Sequence, residues 1–508
     1  MSLRASLDAL ATGPPLDLAV IGGGINGCAI AREAAGRGLR VALFEQDDFG
    51  FGTTWRSTKL IHGGLRYLEH GEIRLVFESL RERAWLLKTR PHLVRSQRFL
   101  LPVMPWTRRP AWELQAGLSA YDALAWRGGL PRHRGLGREG ALRAEPTLAS
   151  SVRSGFMFWD ARALAPERLA LELALEARAF GGAVFNHAPV RGIGVTDGKV
   201  RSIAVSDGER LVEIPTRAIV NAGGPWVDAV AALLPKPVTP VLGLTKGTHI
   251  VLELARPLPR SALFSTARSD GRVFFVVPQG KLLLIGTTDD RYEADPSDVQ
   301  PTPAEAEYLL EEADALLPGL GLNGTQVRYA YAGLRPLPAT RSGPEAAITR
   351  RHLILDHAKD GAPGGLLSIA GGKLSTFRPL ASQALDRLGA PGAATWPVPD
   401  EARLTGSGRL ARYGVDPETI RSLGTEVLCQ HSGVTEGEIR HVMRHELAVT
   451  LSDIVLRRTG MGWASCRGLC ATARVAAIAA SESGWDEALQ AAELTGLAAD
   501  VDRHLPAL

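Results

Sequence analysis

The feature that most constrains the fold is a glycine-rich turn near the start of the chain. Residues 16–21 are apolar except for Asp17, and Gly22, Gly24 and Gly27 follow with the spacing G-x-G-x-x-G before a helix-forming segment. A second, mostly apolar run over residues 39–44 ends in Glu45. This pattern predicts a strand, a tight turn, a helix and a second strand, with an acidic residue roughly 20 positions after the glycines. Such an order is typical of a βαβ unit that binds a dinucleotide.

Each glycine has its own role in such a turn. Gly22 permits the tight turn, Gly24 lets the backbone approach a pyrophosphate, and Gly27 lets the helix pack closely against the strand. The helix N-terminus offers N–H donors to the phosphates, and the Glu45 carboxylate can accept hydrogen bonds from ribose hydroxyls.

The same glycine spacing occurs twice more, over residues 135–140 and 319–324. Neither match follows an apolar strand-like run, so we interpret both as turns. With only one credible fingerprint, the sequence disfavours a flavin reductase that also binds NAD(P)H.

Length and patterning predict an α/β protein with several structural units. The chain has 508 residues, of which 45% are hydrophobic, too long for one ordinary domain. Strand-like and helix-like segments alternate up to a linker rich in Gly, Ala, Pro and Thr over residues 389–407, and apolar runs at 273–277 and 282–285 predict a β-hairpin in a second sheet. Beyond the linker, residues 439–458 and 472–483 have helical periodicity.

Charge and cysteine content exclude several classes of protein. A formal net charge of +4 without a long run of Lys and Arg gives no reason to expect nucleic acid as a partner. Four cysteines are too few for a disulfide framework and favour a reducing compartment. Cys466 and Cys470 could share a helix face, but two thiols make half a metal site at most, so no metal is predicted. No secretory signal or spanning helix is apparent.

The segment after the fingerprint carries a family resemblance. Residues 52–69 have the sequence GTTWRSTKLIHGGLRYLE, which resembles the S-S-K-L-I-H-G-G-L-R-Y-L-E signature of FAD-dependent, quinone-linked glycerol-3-phosphate dehydrogenases of the D-amino-acid-oxidase-like superfamily. Residues 246–249, 285–289, 331–336 and 371–376 resemble further signatures of that family, in order and at similar spacing. Residues 49–52, with Trp55 and Arg56, depart from the family by being bulkier.

The resemblance implies FAD as the cofactor and defines the fold. We expect a Rossmann-like FAD-binding domain interleaved with an antiparallel β-sheet substrate cap, plus a C-terminal α-helical domain. The expected FAD-binding domain comprises residues 16–100, 151–240 and 335–390. The cap comprises residues 101–150 and 241–334, and the helical domain residues 400–508.

The residues expected at FAD combine the fingerprint with positions transferred by the resemblance. They come from the first βαβ unit, the signature segment, a Gly-Gly turn after a later strand, and a Gly-Gly-Lys turn. They are Gly22, Gly24, Asn26, Gly27, Glu45, Thr53, Ser57, Thr58, Lys59, Leu60, His62, Val190, Ala222, Gly223, Gly224, Trp226, Gly372, Lys373, Leu374 and Ser375.

Oxidation of a secondary alcohol by a flavin needs a base for the hydroxyl proton and stabilisation of the charge that develops on the flavin. The resemblance places His62 beside the flavin, and an imidazole titrates near neutral pH, so His62 is the first candidate base. The alternative is a histidine that only hydrogen-bonds the flavin. His249 is the second candidate base, and Lys373 is expected at the pyrimidine edge of the flavin.

A phosphate monoester carries nearly two negative charges at neutral pH and needs Arg or Lys with hydroxyl donors. Arg66 and Arg335 match the family's phosphate-binding arginines, and Tyr67 and Thr376 are candidate hydroxyl partners. The alternative for each arginine is an internal ion pair.

The resemblance further implies transfer of electrons to membrane quinone and a cytoplasmic protein bound peripherally to the inner face of the membrane. Residues 104–112 and 125–134 interleave Trp with Arg, which suits an anionic membrane interface but equally suits helices that close one side of the cap. The rivals are an oxygen-dependent glycerol-3-phosphate oxidase on the same fold, an amino-acid oxidase and a binding protein without turnover. The oligomeric state stays open, with a homodimer as one candidate.

Overall fold

A six-stranded sheet forms the centre of the nucleotide-binding domain. The structure, a computed structural model, describes residues 3–69, 71–126, 128–236, 238–339, 351–396 and 408–507. Five strands of this sheet are parallel, and the edge strand Leu353–Asp356 is antiparallel to its neighbour. From that edge the order is Leu353–Asp356, Leu366–Ala370, Ile219–Asn221, Leu18–Ile21, Val41–Phe44 and Ala183–Phe185.

Helices cover one face of this sheet and a small sheet covers the other. Helix Ile25–Gly36 packs between Pro166–Ala179 and Phe377–Arg387 because its Ala and Ile side chains are buried on nearly every side. The opposite face packs against a three-stranded sheet formed by Val190–Thr196, Lys199–Ser206 and Leu211–Pro215, with helix Leu3–Thr12 at its edge.

A ten-stranded sheet forms the cap. Its main path is Asp290–Arg291, Leu242–Glu253, Leu282–Gly286, Val273–Gln279, Ala262–Thr266, Val94–Val103, Ser154–Ala163 and Leu60–Ile61. Strand Val327–Pro338 also pairs with Leu242–Glu253, and Arg134–Gly137 pairs with Ser154–Ala163. Alternate side chains pack against helix Pro303–Leu316 on one face and against the C-terminal domain on the other. The predicted hairpin is confirmed as Val273–Gln279 paired with Leu282–Gly286.

Further helices surround the cap and build the C-terminal domain. Beside the cap lie Leu65–Glu69, Ile73–Thr89, Ala111–Leu124 and Arg138–Ala144, and Val227–Ala231 follows the Gly-Gly turn of the central sheet. The C-terminal domain contains the two-stranded pair Val427–Cys429 and Val434–Thr435 and the helices Pro417–Arg421, Glu436–His445, Asp453–Arg458, Thr472–Ser483 and Glu487–His504. The α/β fold with a helical C-terminal domain is therefore confirmed.

Three local predictions need correction. Residues 135–140 are not a turn, because they cross from strand Arg134–Gly137 into helix Arg138–Ala144. The periodicity over residues 439–458 covers two elements, helix Glu436–His445 and the π-helical segment Asp453–Arg458. Residues 374–388 also predict a helix after the Gly-Gly-Lys turn, but the helix begins only at Phe377, because the turn continues through Thr376. Residues 319–324 are short turns as predicted, and residues 397–407 of the predicted linker lie outside the described residues.

A buried ion-pair network joins the C-terminal domain to the nucleotide-binding domain. Asp48 is fully buried and accepts from Nε of Arg457 at 2.7 Å and from Nη2 of Arg458 at 2.6 Å. Arg168 donates to both carboxylate oxygens of Glu446, at 2.6 and 2.8 Å. Buried charges of this kind are tolerated only when each has its partner, so the two domains are held in one relative placement.

Replacing Asp48 by Asn removes the charge that two buried guanidinium groups share. We expect Asp48→Asn to lower the free energy of unfolding by roughly 3–5 kcal/mol, because Arg458 loses its carboxylate partner while Arg457 keeps only Asp453. Urea denaturation followed by tryptophan fluorescence measures the change. The control is Asp8→Asn, which breaks an exposed pair with Arg210 and should change little; equal effects of the two variants would contradict the role of the network.

Candidate functional site

The fingerprint turn has the geometry that its glycines predict. Gly22 has φ of +106°, and a Cβ atom there would lie 2.5 Å from the carbonyl oxygen of Ala222. A Cβ on Gly27 would lie 1.8 Å from the carbonyl oxygen of Gly22, so only glycine lets helix and strand approach this closely. At Gly24 the nearest atom would be 3.5 Å away, which leaves room above the turn for a ligand.

Glu45 stands at the end of its strand as predicted. Its two carboxylate oxygens accept from the backbone N–H of Gly23 at 2.5 Å and of Asp47 at 2.9 Å. Burial raises the pKa of Glu45 to about 7, against the opposing effect of those two N–H groups. Each oxygen keeps a lone pair for a further donor, which is what a ribose hydroxyl requires.

A cleft runs from this turn across the carboxyl ends of the parallel strands. The cleft is where an open α/β sheet binds its ligand. The buried Oδ1 atom of Asn26 has no hydrogen-bond partner within the described residues, as expected of a group that faces a bound molecule. Among the predicted FAD contacts, the cleft is lined by Gly22, Gly24, Asn26, Glu45, Thr53, Ser57, Val190, Ala222, Gly223, Gly224, Trp226, Gly372, Lys373 and Leu374.

The other predicted FAD contacts lie elsewhere. Gly27 packs under the turn, and Ser375 is buried with its hydroxyl unpaired within the described residues. Thr58, Leu60 and His62 line the neighbouring cavity instead.

Lys59, whose predicted contact with FAD is through its backbone, directs its side chain elsewhere. Its φ is +59°, and its ammonium turns away from the cleft to lie 3.1 Å from the ring centre of Trp463 in the C-terminal domain. Its side chain therefore joins two domains, and only its backbone stays beside the signature segment.

The second cavity, of about 370 Å³, lies between the signature segment and the cap sheet. Four phenylalanines form its apolar walls. The polar residues that line it are Thr58, His62, Tyr67, Asp160, Arg272, Thr287, Asp289 and Arg335. The walls are Phe99, Phe158, Phe264 and Phe275.

Lys373 connects the cleft to the cavity. It lines the cleft, and its ammonium donates to Ser79 Oγ at 2.9 Å and to the carbonyl oxygens of Gly63 at 3.3 Å and His62 at 3.4 Å. The same ammonium lies 4.5 Å from the ring centre of Tyr67. Burial lowers the pKa of Lys373 to about 7, opposed by the carboxylate of Asp160.

The two candidate bases occupy different layers. His62 lines the cavity, whereas His249 lies behind Thr58, with its Nε2 atom 2.9 Å from the Thr58 hydroxyl and its ring stacked 4.8 Å from that of Tyr331. Loss of water around the His62 ring, with Lys373 and Arg83 nearby, lowers its pKa to about 3. Burial and Arg335 lower the pKa of His249 to about 3. Both imidazoles are therefore neutral at pH 7, and burial with nearby cations makes the protonated form of each unfavourable.

Arg335 is one of two arginines that line the cavity. Its guanidinium donates to Asp289 at 3.1 Å, to the Thr287 hydroxyl at 3.0 Å and to the Thr288 carbonyl at 3.3 Å. These partners fix the direction of a half-buried guanidinium. The other arginine, Arg272, pairs with Asp270 and Asp290. The side chain of Arg66, the other predicted phosphate ligand, lies outside the described residues.

Thr376 does not reach the cavity within the described part of the chain. It is 1% exposed, and its hydroxyl donates to the Lys373 carbonyl at 3.4 Å. It therefore fixes the Gly-Gly-Lys turn, and its predicted contact with a phosphate has no support in this geometry.

Sequence reasoning missed the groups that hold the signature segment from behind. The Tyr121 hydroxyl accepts from the Gly63 N–H at 2.8 Å and donates to Asp160 at 2.6 Å, and Arg83 donates to the other oxygen of Asp160 at 2.6 Å. Thr54 was also missed: its hydroxyl accepts from the Ile25 N–H at 3.0 Å. No motif marks these residues, because their partners are 29 to 77 positions away in sequence.

Comparisons with known proteins agree with this architecture. The family model described as "FAD dependent oxidoreductase" matches residues 17–378, and the one described as "C-terminal domain of alpha-glycerophosphate oxidase" matches residues 409–490. The chain is 35% identical to a glycerol-3-phosphate dehydrogenase of Synechocystis, over 90% of this chain and 92% of the relative. It is 34% identical to a D-erythritol 1-phosphate dehydrogenase of Brucella abortus, over 87% of this chain and 94% of the relative.

The fold matches a solved structure over its whole length. The glycerol-3-phosphate dehydrogenase of Bacillus halodurans complexed with FAD superposes with a TM-score of 0.76 at 26% identity, covering 99% of this chain and 97% of that one. The cleft residues fit FAD, which is the cofactor of this oxidoreductase. The chain belongs to the family of FAD-dependent glycerol-3-phosphate dehydrogenases.

Proposed function

We propose that this protein oxidises sn-glycerol 3-phosphate to dihydroxyacetone phosphate and passes the electrons to membrane quinone. The bound FAD supplies the hydride acceptor. The observation that carries the proposal is that one cavity beside the FAD cleft is lined both by a neutral histidine, His62, and by a fixed arginine, Arg335.

The arginine side of the cavity is suited to the phosphate. The guanidinium of Arg335 is already ordered by Asp289, Thr287 and Thr288, so binding an oxyanion costs little side-chain entropy. Arg272, which pairs with Asp270 and Asp290, and the Thr287 hydroxyl line the same cavity. Guanidinium and hydroxyl donors are the groups that recognise a phosphate monoester.

His62 lines the same cavity and is the group assigned to the alcohol. It is neutral at pH 7, which is the protonation state a base needs, and we assign to its imidazole the hydroxyl proton that is released when the hydride leaves the same carbon. Lys373 is held next to the His62 backbone and also lines the FAD cleft, where its ammonium favours negative charge on the cofactor. His249 contacts Thr58 and acts by positioning that hydroxyl.

The surface near the cavity supports quinone as the electron acceptor. Trp112 and Trp126 are 72% and 70% exposed at the two ends of helix Ala111–Leu124, and Ile73 and Phe77 are exposed one turn apart on the neighbouring helix. Trp106 of the same predicted patch is different, because its indole donates to the Thr266 carbonyl at 3.0 Å inside the cap. Within the described residues, no helix combines the length and apolarity needed to span a bilayer.

A second candidate substrate is a longer polyol phosphate. The relative that is named D-erythritol 1-phosphate dehydrogenase is about as similar to this chain as those named glycerol-3-phosphate dehydrogenase. Both substrates join a secondary alcohol to a phosphate monoester, so His62 and Arg335 would serve for either one. The two substrates differ in length, so the space inside the cavity decides between them.

Anaerobic rapid mixing tests the proposal directly. Addition of glycerol 3-phosphate to the FAD-loaded protein should bleach the oxidised flavin spectrum, and D-erythritol 1-phosphate should do so more slowly. An unchanged spectrum with both compounds would refute the proposed activity. Reoxidation of the reduced protein should be faster with a soluble quinone analogue than with oxygen; the opposite order would identify an oxidase.

Removal of the Arg335 charge should weaken recognition of the phosphate. We expect Arg335→Met to raise KM for glycerol 3-phosphate roughly 100-fold, because a charge-assisted pair of hydrogen bonds is lost. The control is Arg328→Met on the same strand, where the arginine pairs with Glu253 on the surface. Steady-state kinetics with glycerol 3-phosphate and with glycerol measure the preference, and its survival in Arg335→Met would disprove the role.

The two histidines should differ in their effect on turnover. We expect His62→Asn to lower kcat about 10²- to 10⁴-fold with FAD still bound, because the proton acceptor is lost. His249→Asn should keep kcat within about ten-fold, because a positioning contact is easier to replace. Single-turnover flavin reduction measures both variants, and the reverse ranking would assign the base to His249.

Membrane association should depend on the exposed tryptophans. We expect the double variant Trp112→Ser, Trp126→Ser to bind anionic lipid vesicles at least about ten-fold more weakly, because two indoles no longer enter the interface. Leu211→Ser is the control, since Leu211 is 60% exposed on the three-stranded sheet away from these helices. Vesicle sedimentation at low salt measures binding; a wild-type protein that stays in the supernatant would contradict membrane association.

A further inference from the structure

Three cysteines and a histidine meet in the C-terminal domain, in a cluster that the proposed reaction does not use. The Sγ atom of Cys429 lies 3.6 Å from that of Cys466 and 3.5 Å from that of Cys470. Cys466 and Cys470 are 3.5 Å apart, and Cys470 Sγ lies 3.7 Å from His431 Nδ1. The four donor atoms all lie within 4.8 Å of one another, and the cysteines are free.

These separations match one tetrahedral metal ion. With Zn–S bonds of about 2.3 Å and Zn–N bonds of about 2.0 Å, tetrahedral angles place two sulfurs about 3.8 Å apart and a sulfur and a nitrogen about 3.5 Å apart. A disulfide would need a sulfur separation of about 2.05 Å, and it would involve only two of the four clustered side chains. A two-iron cluster needs ligands on two separate metal ions, whereas these donors surround one common point.

The chain builds the cluster from two turns, each of which supplies two ligands. Cys429 ends strand Val427–Cys429, and the following turn, closed by the Gly433 N–H on the Cys429 carbonyl at 2.7 Å, presents His431. Cys466 and Cys470 flank a turn in which Arg467 and Gly468 have φ of +53° and +81°. The spacing of Cys466 and Cys470, with three residues between them, is typical of a structural zinc site, and Cys429 and His431 form a tighter pair.

We propose that Cys429, His431, Cys466 and Cys470 bind one Zn²⁺ ion in a closed Cys₃His structural site. Soft thiolates in a tetrahedral S₃N set select zinc over magnesium, calcium or manganese. All four positions are filled by protein, so the ion has no open position for a substrate. His431 and Cys470 are exposed, which gives the ion a path from solvent.

The site would fix a loop that supports the catalytic half of the protein. The metal-bearing turn follows Trp463, whose carbonyl accepts from the Tyr329 hydroxyl at 2.9 Å. The centre of the Trp463 ring lies 5.3 Å from that of Trp55 and 5.2 Å from that of Tyr331. Trp55 belongs to the signature segment, and Tyr331 lies on the strand that carries Arg335. Zinc therefore stabilises the contact between domains without contacting the substrate.

Metal analysis of the FAD-loaded protein tests the proposal. Inductively coupled plasma mass spectrometry should find about one zinc per chain, with no stoichiometric iron or sulfide. Less than about one-fifth of a zinc per chain after growth and purification with zinc would overturn the proposal, and so would iron with equal sulfide. Thiol titration gives a second measure: the site predicts three thiols protected by metal and released by a chelator.

Variants separate the site from a general effect on folding. The variants His431→Asn and Cys470→Ser should lose zinc, and a chelator should no longer change their melting temperature. His445 is an exposed histidine of the same domain, and His445→Asn should retain zinc and a melting temperature that a chelator lowers. If a ligand variant does not fold, Co²⁺ substitution of the wild-type protein decides. Intense tetrahedral d–d bands beyond the flavin absorption support the site, and weak octahedral bands overturn it. Chelation that leaves the wild-type melting temperature unchanged would also overturn the structural role.

Discussion

The buried ammonium of Lys373 is the interaction on which the arrangement of the site depends. Three parts of the chain meet there: the Gly-Gly-Lys turn after strand Leu366–Ala370, the backbone of His62 and Gly63, and Ser79 on a helix beside the cap. In the same turn, the Gly371 N–H donates to the Pro336 carbonyl at 2.6 Å, next to Arg335. One turn of the nucleotide-binding domain therefore positions both His62 and Arg335, which line the cavity.

The same ammonium sets the protonation of its surroundings. A buried cation costs free energy, and here this cost lowers the pKa of Lys373 while Asp160 opposes the change. The ammonium in turn helps to keep His62 neutral, because a second positive charge beside it would be unfavourable. A cofactor that gains negative charge would reverse the balance for Lys373 and favour its protonated form, while leaving His62 able to accept a proton.

What the sequence could predict follows from how local each interaction is. The fingerprint needed only Gly22, Gly27 and Glu45 in one βαβ unit, and the structure confirms their geometry. The places of His62, Lys373 and Arg335 came from family resemblance, since no local rule brings His62 together with two residues far later in the chain. The sequence did not predict where the Lys59 ammonium lies, because the positive φ of Lys59, which is rare for a residue with a side chain, turns it toward Trp463. The link through Tyr121 and Asp160 is invisible in sequence, because ordinary core residues of separate elements form it.

The C-terminal domain has a structural part in the site although none of its described residues lines the cavity. Strand Val327–Pro338 carries Arg335 toward the substrate, and its Tyr329 and Tyr331 rest against Trp463 of that domain. On the other side of the contact, Asp48 lies just beyond Glu45 and binds Arg457 and Arg458. A shift of the C-terminal domain would therefore disturb Glu45 in the FAD cleft and Arg335 in the cavity together. Because aromatic packing tolerates sliding better than paired charges do, the ion pairs set the placement and the rings fill the space that remains.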